Sequence, residues 1–451
     1  MALGKSGSKQ SEFWVTVSEL PKSPGHPFYR KLNQILQEAD FDGWVEALCE
    51  DYYAGDRGRP GMPPGRYFRM LFAGYFEGIQ SQRGIAWRVS DSLSLREFLG
   101  LDTTEDSPHH STLTRIRQRL PQDVHHAVFE FVLNVAIEKG LVKGKTVAVD
   151  ATTLEANAAM KSIVRKATGE SYKEYLRALA EEEGIEDPSD EDLRRFDKKR
   201  KGKKTSNQDW ESSTDPDSRI TKMKDGRTHL AYKAENAIDL DTDIVLGAEV
   251  FHADRGDTDT LPESLGCTQR NLIDCEIDAE IEEVVADKGY HSAECLQGLE
   301  ELGLRSYIPE PEYKGKRRWK NKPEGQQEAV YHNRRRVRRP KSRLLQRRRG
   351  ELVERSFAHI CETGGARRTW LRGIAAVAKR YWIQVAARNL GVILRALFGV
   401  GTPRSLQKEE DGLLNGSMSP QMRRYVARLA MMTTGVLISI ITPRMIPRMA
   451  A

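Results

Sequence analysis

Apolar residues recur at helical spacing through most of residues 11–140. Pro63-Pro64 precedes an amphipathic run carrying Tyr67, Met70, Leu71, Tyr75 and Phe76. Proline suits that place because the first N–H of a helix has no partner to lose. Shorter helical patterns follow at 85–89, 95–99 and 111–120, and a longer one covers 124–137 and stops at Gly140. Then the period changes. Residues 145–150, KTVAVD, form a β-branched apolar run ending in an acid, and 281–286 repeat that design before Asp287. Strands are also predicted at 229–239, 244–252 and 305–308, and helices at 260–272 and 293–302. Residues 161–225 lack strand periodicity and hold one helical piece, 172–183, followed by a basic–polar linker to about 218. Final helices are predicted at 350–361, ended by Gly364-Gly365, at 375–398 and at 422–441.

The core order is therefore strand, strand, strand, helix, strand, helix, strand, helix. That is the order of an RNase H-like mixed α/β fold, here preceded by an all-helical region. With 451 residues the chain can bury more than one core, and no internal repeat is visible. The hydrophobic fraction is 39% and the charged fraction 30%, which suits globular domains joined by charged segments. The net charge of +6 decides little, but its distribution does. Between Lys314 and Arg349 sixteen Lys or Arg face two acids, Glu324 and Glu328, and a second basic run spans 198–204. Such clusters fit a polyphosphate partner, and equally a solvated surface. Five cysteines without a CxxC pair argue for a reducing compartment rather than a disulfide framework. The polar first ten residues do not read as a signal peptide, and the apolar stretch 429–441 is too short to span a bilayer. A cytoplasmic protein that makes no use of a membrane is the expectation.

Candidate chemistry sits on the strands. Asp150 and Asp287 each follow an apolar strand, and one setting repeated on two strands is more telling than either acid alone. Carboxylates held on rigid elements suit hard divalent cations such as Mg²⁺. Two such ions about 4 Å apart serve phosphodiester chemistry by stabilising both the attacking and the leaving oxygen. A third acid is expected from a helix packed on the sheet. Periodicity leaves Glu351 and Glu354 nearly equal there, Glu354 sharing a weakly apolar side with Ala358 and Cys361. In the segment 109–119, small polar residues precede Arg115, Arg117 and Arg119, as in the recognition helix of a helix-turn-helix. An ordinary bundle helix fits it as well.

Several long runs carry a resemblance: VAVDATTLEANA, DPDSRITKMKDGRTHLAYKAENAIDL, VVADKGYHS, AVYHNRRRVR and RRRGELVERSFAHICETGGARRTWLRG. In this order they resemble bacterial insertion-sequence transposases of the DDE class, in the branch with a helical N-terminal domain and a VADKGYHS-type second-Asp motif. The resemblance covers roughly residues 40–395. It implies Asp150, Asp287 and Glu354 as the catalytic, metal-binding acids, and so decides between Glu351 and Glu354. It further implies two Mg²⁺ ions, with Mn²⁺ as substitute, cleavage at transposon ends, and strand transfer into target DNA. Double-stranded DNA is the implied partner, a homodimer the implied state on DNA, and the bacterial nucleoid the implied place of work. An RNase H-like nuclease without strand transfer and an idle transposase-derived DNA binder are the alternatives. The implied organisation is an arm (1–40), a helical DNA-binding domain (41–142), a catalytic domain (143–400) and a tail (401–451). The catalytic domain would carry a charged insertion at 161–225 and a basic one at 310–345.

In one respect the chain departs from the resemblance. Many related enzymes carry an Arg four residues before the third acid and a Lys seven after it, and here those positions are Gly350 and Cys361. Phosphate-positioning cations must come from elsewhere, with Arg348, Arg349, Arg355, Arg367 and Arg368 as candidates. Lys288 stands beside Asp287, where it could contact DNA or support the loop. Trp319 lies among Arg317, Arg318 and other cations, a setting for base stacking or for anchoring the basic segment. His252, Asp254, Asp257 and Asp259 form an acidic loop, read chiefly as a cap for the helix at 260–272.

Overall fold

Pro64 opens helix α3 (Pro64–Glu77), and Gly78 closes it at φ 70°, a left-handed conformation that glycine adopts without strain. The buried face of α3 carries Tyr67, Phe68, Met70, Phe72, Tyr75 and Phe76. Around it pack α1 (Pro27–Glu38), α2 (Phe41–Cys49), α4 (Gln82–Asp91), α5 (Leu93–Phe98), α6 (His110–Arg119) and α7 (Gln122–Glu138). One polar lock holds this bundle: buried Arg69 donates to both oxygens of Asp42, at 2.9 and 2.7 Å, and to Asn33 at 2.6 Å. The computed structural model describes residues 16, 20, 25–54, 61–200, 205–223, 226–275, 279–312 and 319–408. The helix predicted at 422–441 and the candidates Arg317 and Arg318 lie outside the described residues.

The bundle leads into a mixed sheet, six-stranded among the described residues. Its centre is β1 (Thr146–Glu155) paired antiparallel with β5 (Thr228–Asp239), Val147 opposite Asp239 and Glu155 opposite Ala231. On its far edge β5 takes β4 (Arg219–Lys222) and then β6 (Val245–His252), both antiparallel. On the other side of β1 lie β7 (Glu283–Val285) and β8 (Arg305–Tyr307), both parallel. The crossovers are α10 (Asp257–Asp274) and α11 (Ala293–Glu301). After β8 come α12 (Gln326–Val337), α13 (Pro340–Phe357), a π-helical turn at Ala358–Thr363 and α14 (Ile374–Phe398).

By length and composition α14 could cross a membrane, yet most of its surface is buried within the fold. It packs between α7 and β6. Its polar groups are tied to strand partners: Asn389 to both Val245 N–H (3.0 Å) and O (2.8 Å), Tyr381 to Asn236 (2.9 Å), Trp382 to Ala248 O (2.7 Å). Arg388, fully buried, pairs with Asp243 in the β5–β6 turn.

Three expectations change. First, β1 does not end at Asp150 but runs on to Glu155, because β5 is long enough to pair the whole of it. Second, the polar stretch 161–225 contains a second helix, α9 (Asp190–Lys199), after α8 (Tyr172–Glu182), and a two-stranded ribbon of β2 (Ile163–Arg165) and β3 (Trp210–Ser212). Strands of three residues carry too little period to be read from sequence, although the Ser189/Asp192 capping box of α9 was readable. Third, the helix expected at 350–361 begins at Pro340, ten residues earlier, and α12 precedes it. The basic run there is helix packed on the sheet. Asn333 bonds both Ile308 N–H and O, Arg336 donates to Ser306, and Arg334 pairs with Glu310.

Candidate active site

The pleat of β1 decides which way its acid points. Thr146 pairs with Glu283 and Ala148 with Val285, so residues 146, 148 and 150 of β1 share one face with 283 and 285 of β7. Asp287 follows two residues beyond the last pair, just past the end of β7. Beyond Ala148 no β7 residue pairs with β1, and the edge is taken up again at Glu155, whose N–H donates to Arg367 O at 2.8 Å. Asp150 thus lies in a gap in the sheet edge rather than at a strand end. A gap of this kind lets a mid-strand carboxylate reach solvent while both flanks hold it rigid.

Helix α13 lies across this face. Gln346 donates to Ala286 O (3.0 Å) and Tyr307 O (2.6 Å), fixing the helix over the ends of β7 and β8. One turn on, Arg349 pairs with Asp150 at 2.8 Å, and Asp150 also accepts from Ala151 N–H at 2.8 Å. Val353 is buried in the same stripe, whereas Glu354, one position further round, is exposed. Asp287 caps a short 3₁₀ turn, Lys288–Tyr290, by accepting from Gly289 N–H at 2.7 Å. Lys288 itself is exposed.

Beneath Asp287 lies a network that no single sequence position announces. A Cβ built on Gly289 would fall 2.8 Å from Asp257 Oδ2 and 3.0 Å from Asp287 Oδ1. Any larger residue there would push a carboxylate aside, because the two carboxylates crowd one point. Asp257 also pairs with Lys233 at 2.7 Å. Lys233 donates to Thr260 (2.8 Å), and both Thr260 and Tyr290 donate to buried Glu235 at 2.8 Å. Burial pushes the Tyr290 hydroxyl well above its ordinary pKa, with Glu235, Asp257 and Asp150 adding to the effect, so it remains a donor. The available signal was Lys233 and Glu235, charges two apart in a strand whose residues from Leu230 on are all buried. Asp257, expected chiefly to cap its helix, is the acid of that loop that reaches the Asp287 turn.

The other candidates scatter. Arg348 and Arg355 leave the acid face and pair with Asp241 (3.1 Å) and Asp243 (3.6 Å) in the β5–β6 turn. Arg367 pairs with Glu362 at 2.6 Å, and Arg368 approaches Glu155 at 3.8 Å. Of the five arginines weighed around the third acid, Arg349 is the one joined to an acid of the trio. Trp319 meets Tyr331 of α12 edge to face at 5.9 Å and packs against the core, as an anchor would. On α6, Arg115 is exposed and bonds Ser111, while Arg117 is half-buried and turns to a cavity at the junction with α14.

All the donors at the acid face are hard oxygens, which fits a divalent cation. Asp150 and Asp287 each follow the last β1–β7 pair by two residues. Glu354 is not gathered with them: among the described residues no three acidic, histidine or cysteine side chains stand at ligand spacing.

A helical bundle followed by a mixed sheet, with acids after β7 and within β1 and an arginine-bearing helix across them, sets the class to be tested by comparison. Family comparison makes the class specific. Residues 17–119 match a model described as a transposase domain (DUF772), and residues 143–390, more than half of the chain, match the transposase DDE domain. The chain belongs to the DDE transposase family, enzymes of DNA cleavage and strand transfer that use divalent metal ions. No curated relative and no solved structure matches it.

Proposed function

We propose that this transposase cleaves DNA at the ends of an insertion element and joins them to target DNA, with Asp150, Asp287 and Glu354 as its metal-binding acids and Mg²⁺ as its ion. The observation that carries the reading is that Asp150 and Asp287 each lie two residues beyond the last β1–β7 pair, with Tyr290 of the Asp287 turn feeling the charge of Asp150. The strand order supports an RNase H-like core: three antiparallel strands, β6, β5 and β1, then two parallel ones, β7 and β8.

In the first step water attacks a phosphorus at the element's end, the P–O3′ bond breaks, and a 3′-hydroxyl and a 5′-phosphate result. In the second that hydroxyl attacks a target phosphodiester, one P–O bond forms as another breaks, and a target 3′-hydroxyl leaves. No oxidant and no nucleotide cofactor is needed for balance. When bound, the ions activate the attacking oxygen and neutralise charge on phosphorus. The chain's own residues position. Asp150 is braced by Ala151 N–H and Arg349, and Asp287 by the Gly289 turn above the Lys233–Glu235–Asp257 network. Arg349 is the cation best placed to meet a phosphate once Asp150 takes up an ion. Residues 41–142 hold the ends, the basic surface of 310–345 contacts the flanking backbone, and a dimer cuts paired ends.

The test is a two-end DNA substrate with Mg²⁺. Wild-type protein should release 3′-hydroxyl ends and give joined products. Cleavage without joining would favour the nuclease, and DNA binding without either would favour the idle binder.

A further inference from the structure

Where the helical bundle meets α14 there is a cavity of about 280 Å³, at the small end for ligand sites. Its walls come from α3, α4, α6, α7, the segment 364–371 and α14. Three cations face it, Arg117, Lys379 and Arg380, and no acidic side chain among the described residues lines it. Lys379 is committed, donating to the carbonyls of Arg117 (3.2 Å) and Leu120 (2.7 Å) at the end of α6. Arg380 gives one bond, to Gly365 O at 3.0 Å, and a guanidinium has five donors. The rest of the lining is aromatic and amide: Tyr67, Tyr75, Trp370, Gln80, Gln82 and Gln384. Trp370, half exposed, is held by Gln80 at 2.9 Å and by Asn157, which donates to its carbonyl at 3.1 Å.

Like charges sharing a half-buried cavity repel, and burial without a counter-charge is costly. The cations register it: burial, and then Arg117, lower Arg380 to about 10, and burial and Arg117 lower Lys379. An anion would relieve both costs. Flat aromatic surfaces beside amides that can bond base edges narrow the anion to one carrying a base. We propose that this cavity binds a single nucleotide, its phosphate against Arg117 and Arg380 and its base against Trp370. The nucleotide can come from an unpaired position in DNA or from the free pool. The first source has geometry behind it. Asn157 and Glu155, which tie down this segment, follow Asp150 on the same stretch of chain, and Glu155 is about 17 Å from Asp150 at the strand rise.

The test uses the full chain with three probes: a duplex bearing one unpaired 2-aminopurine, the same duplex fully paired, and free deoxyadenosine monophosphate. Tighter binding of the unpaired duplex than of the paired one supports the site with DNA as source. Binding of the monophosphate alone supports it with the free pool as source. In either case Arg117→Gln and Arg380→Gln should each weaken binding about tenfold, with Arg380→Lys partly restoring it; with the unpaired duplex, Trp370→Leu should also abolish the quenching of 2-aminopurine. Equal affinity in variants that melt like wild type overturns the proposal. Asp150→Ala separates it from the cleavage reading, because that variant should lose cleavage and keep nucleotide binding.

Discussion

At the two ends of the parallel pair β1–β7, acids of the same kind are treated in opposite ways. At the start of the strands Asp239 and Glu283 are surrounded by protein donors. Asp239 accepts from the N–H groups of Lys143 (2.6 Å), Gly144 (3.0 Å) and Asp241 (2.8 Å). Glu283 is bonded by Thr146, Tyr307 and Lys341, and burial, which would raise its pKa, is outweighed by Lys341 and Thr146 so that it is lowered. Asp243 holds buried Arg388. Four residues up the strand, Asp150 and Asp287 are partly exposed: Asp150 accepts from Ala151 N–H and pairs with Arg349, Asp287 accepts from Gly289 N–H, and Glu354 is exposed. A carboxylate enclosed by donors is a strut. One held rigid with lone pairs toward solvent is available to a ligand.

The sharpest way to break this contrast is Asp150→Ala or Asp287→Ala. Each should lower end cleavage on the order of 10²–10³-fold or more, the scale for losing a group that stabilises transition-state charge, while DNA binding by mobility shift persists. Retained cleavage would remove that residue from the site. At the strut end, Arg388→Met should cost about 3–5 kcal/mol in denaturant unfolding, because Asp243 loses its buried partner, with cleavage per folded molecule unchanged. A loss below about 1 kcal/mol would show that Arg388 is not a strut.

The cationic cavity offers a third, pH-dependent case. His125 is buried, its Nδ1–H facing Pro121 O (2.9 Å) and its Nε2 facing the Tyr67 hydroxyl (3.2 Å). Burial lowers its pKa to about 4; the Pro121 bond opposes this, while Lys379 and Arg117 add to it. The unfolded chain takes up this proton near pH 6.5 and the folded one only near 4. Stability is therefore whole above 6.5 and falls by up to about 3 kcal/mol as pH drops toward 4. His125→Gln should flatten that part of the stability–pH curve, measured by denaturant titration, and an unchanged curve would clear His125 of the role. The smallest expected effect is at Glu351, exposed on α13. Glu351→Gln should stay within about 0.5 kcal/mol of wild type and cleave normally, whereas Glu354→Gln should not cleave. The opposite result would move the third acid by one helical turn.

Much of this was legible because it is local. Helical period, proline and glycine punctuation and β-branched runs located α3, α7, α14, β5 and β6 within a few residues. The repeated acid after an apolar run singled out Asp150 and Asp287. The ribbon of β2 and β3 was not legible, since three-residue strands draw their stability from partners far along the chain. Nor was the fate of the basic run. Sixteen cations spread over one segment look alike in sequence, and packing alone assigns Arg334 to Glu310, Arg336 to Ser306 and Arg349 to Asp150.

The sequence by itself therefore determined the elements, their order and the two aspartates, because period and composition act over a few residues. Tertiary structure decided the rest. It carried β1 past Asp150 and opened a gap in the sheet edge there, because β5 outreaches β7. It brought Asp257, Lys233 and Glu235 under Asp287, residues up to 54 positions apart from it. It also enclosed Arg117 and Arg380, 263 positions apart, in one cavity. Charge takes its meaning from the partner it meets, and partners are set by how the chain closes on itself.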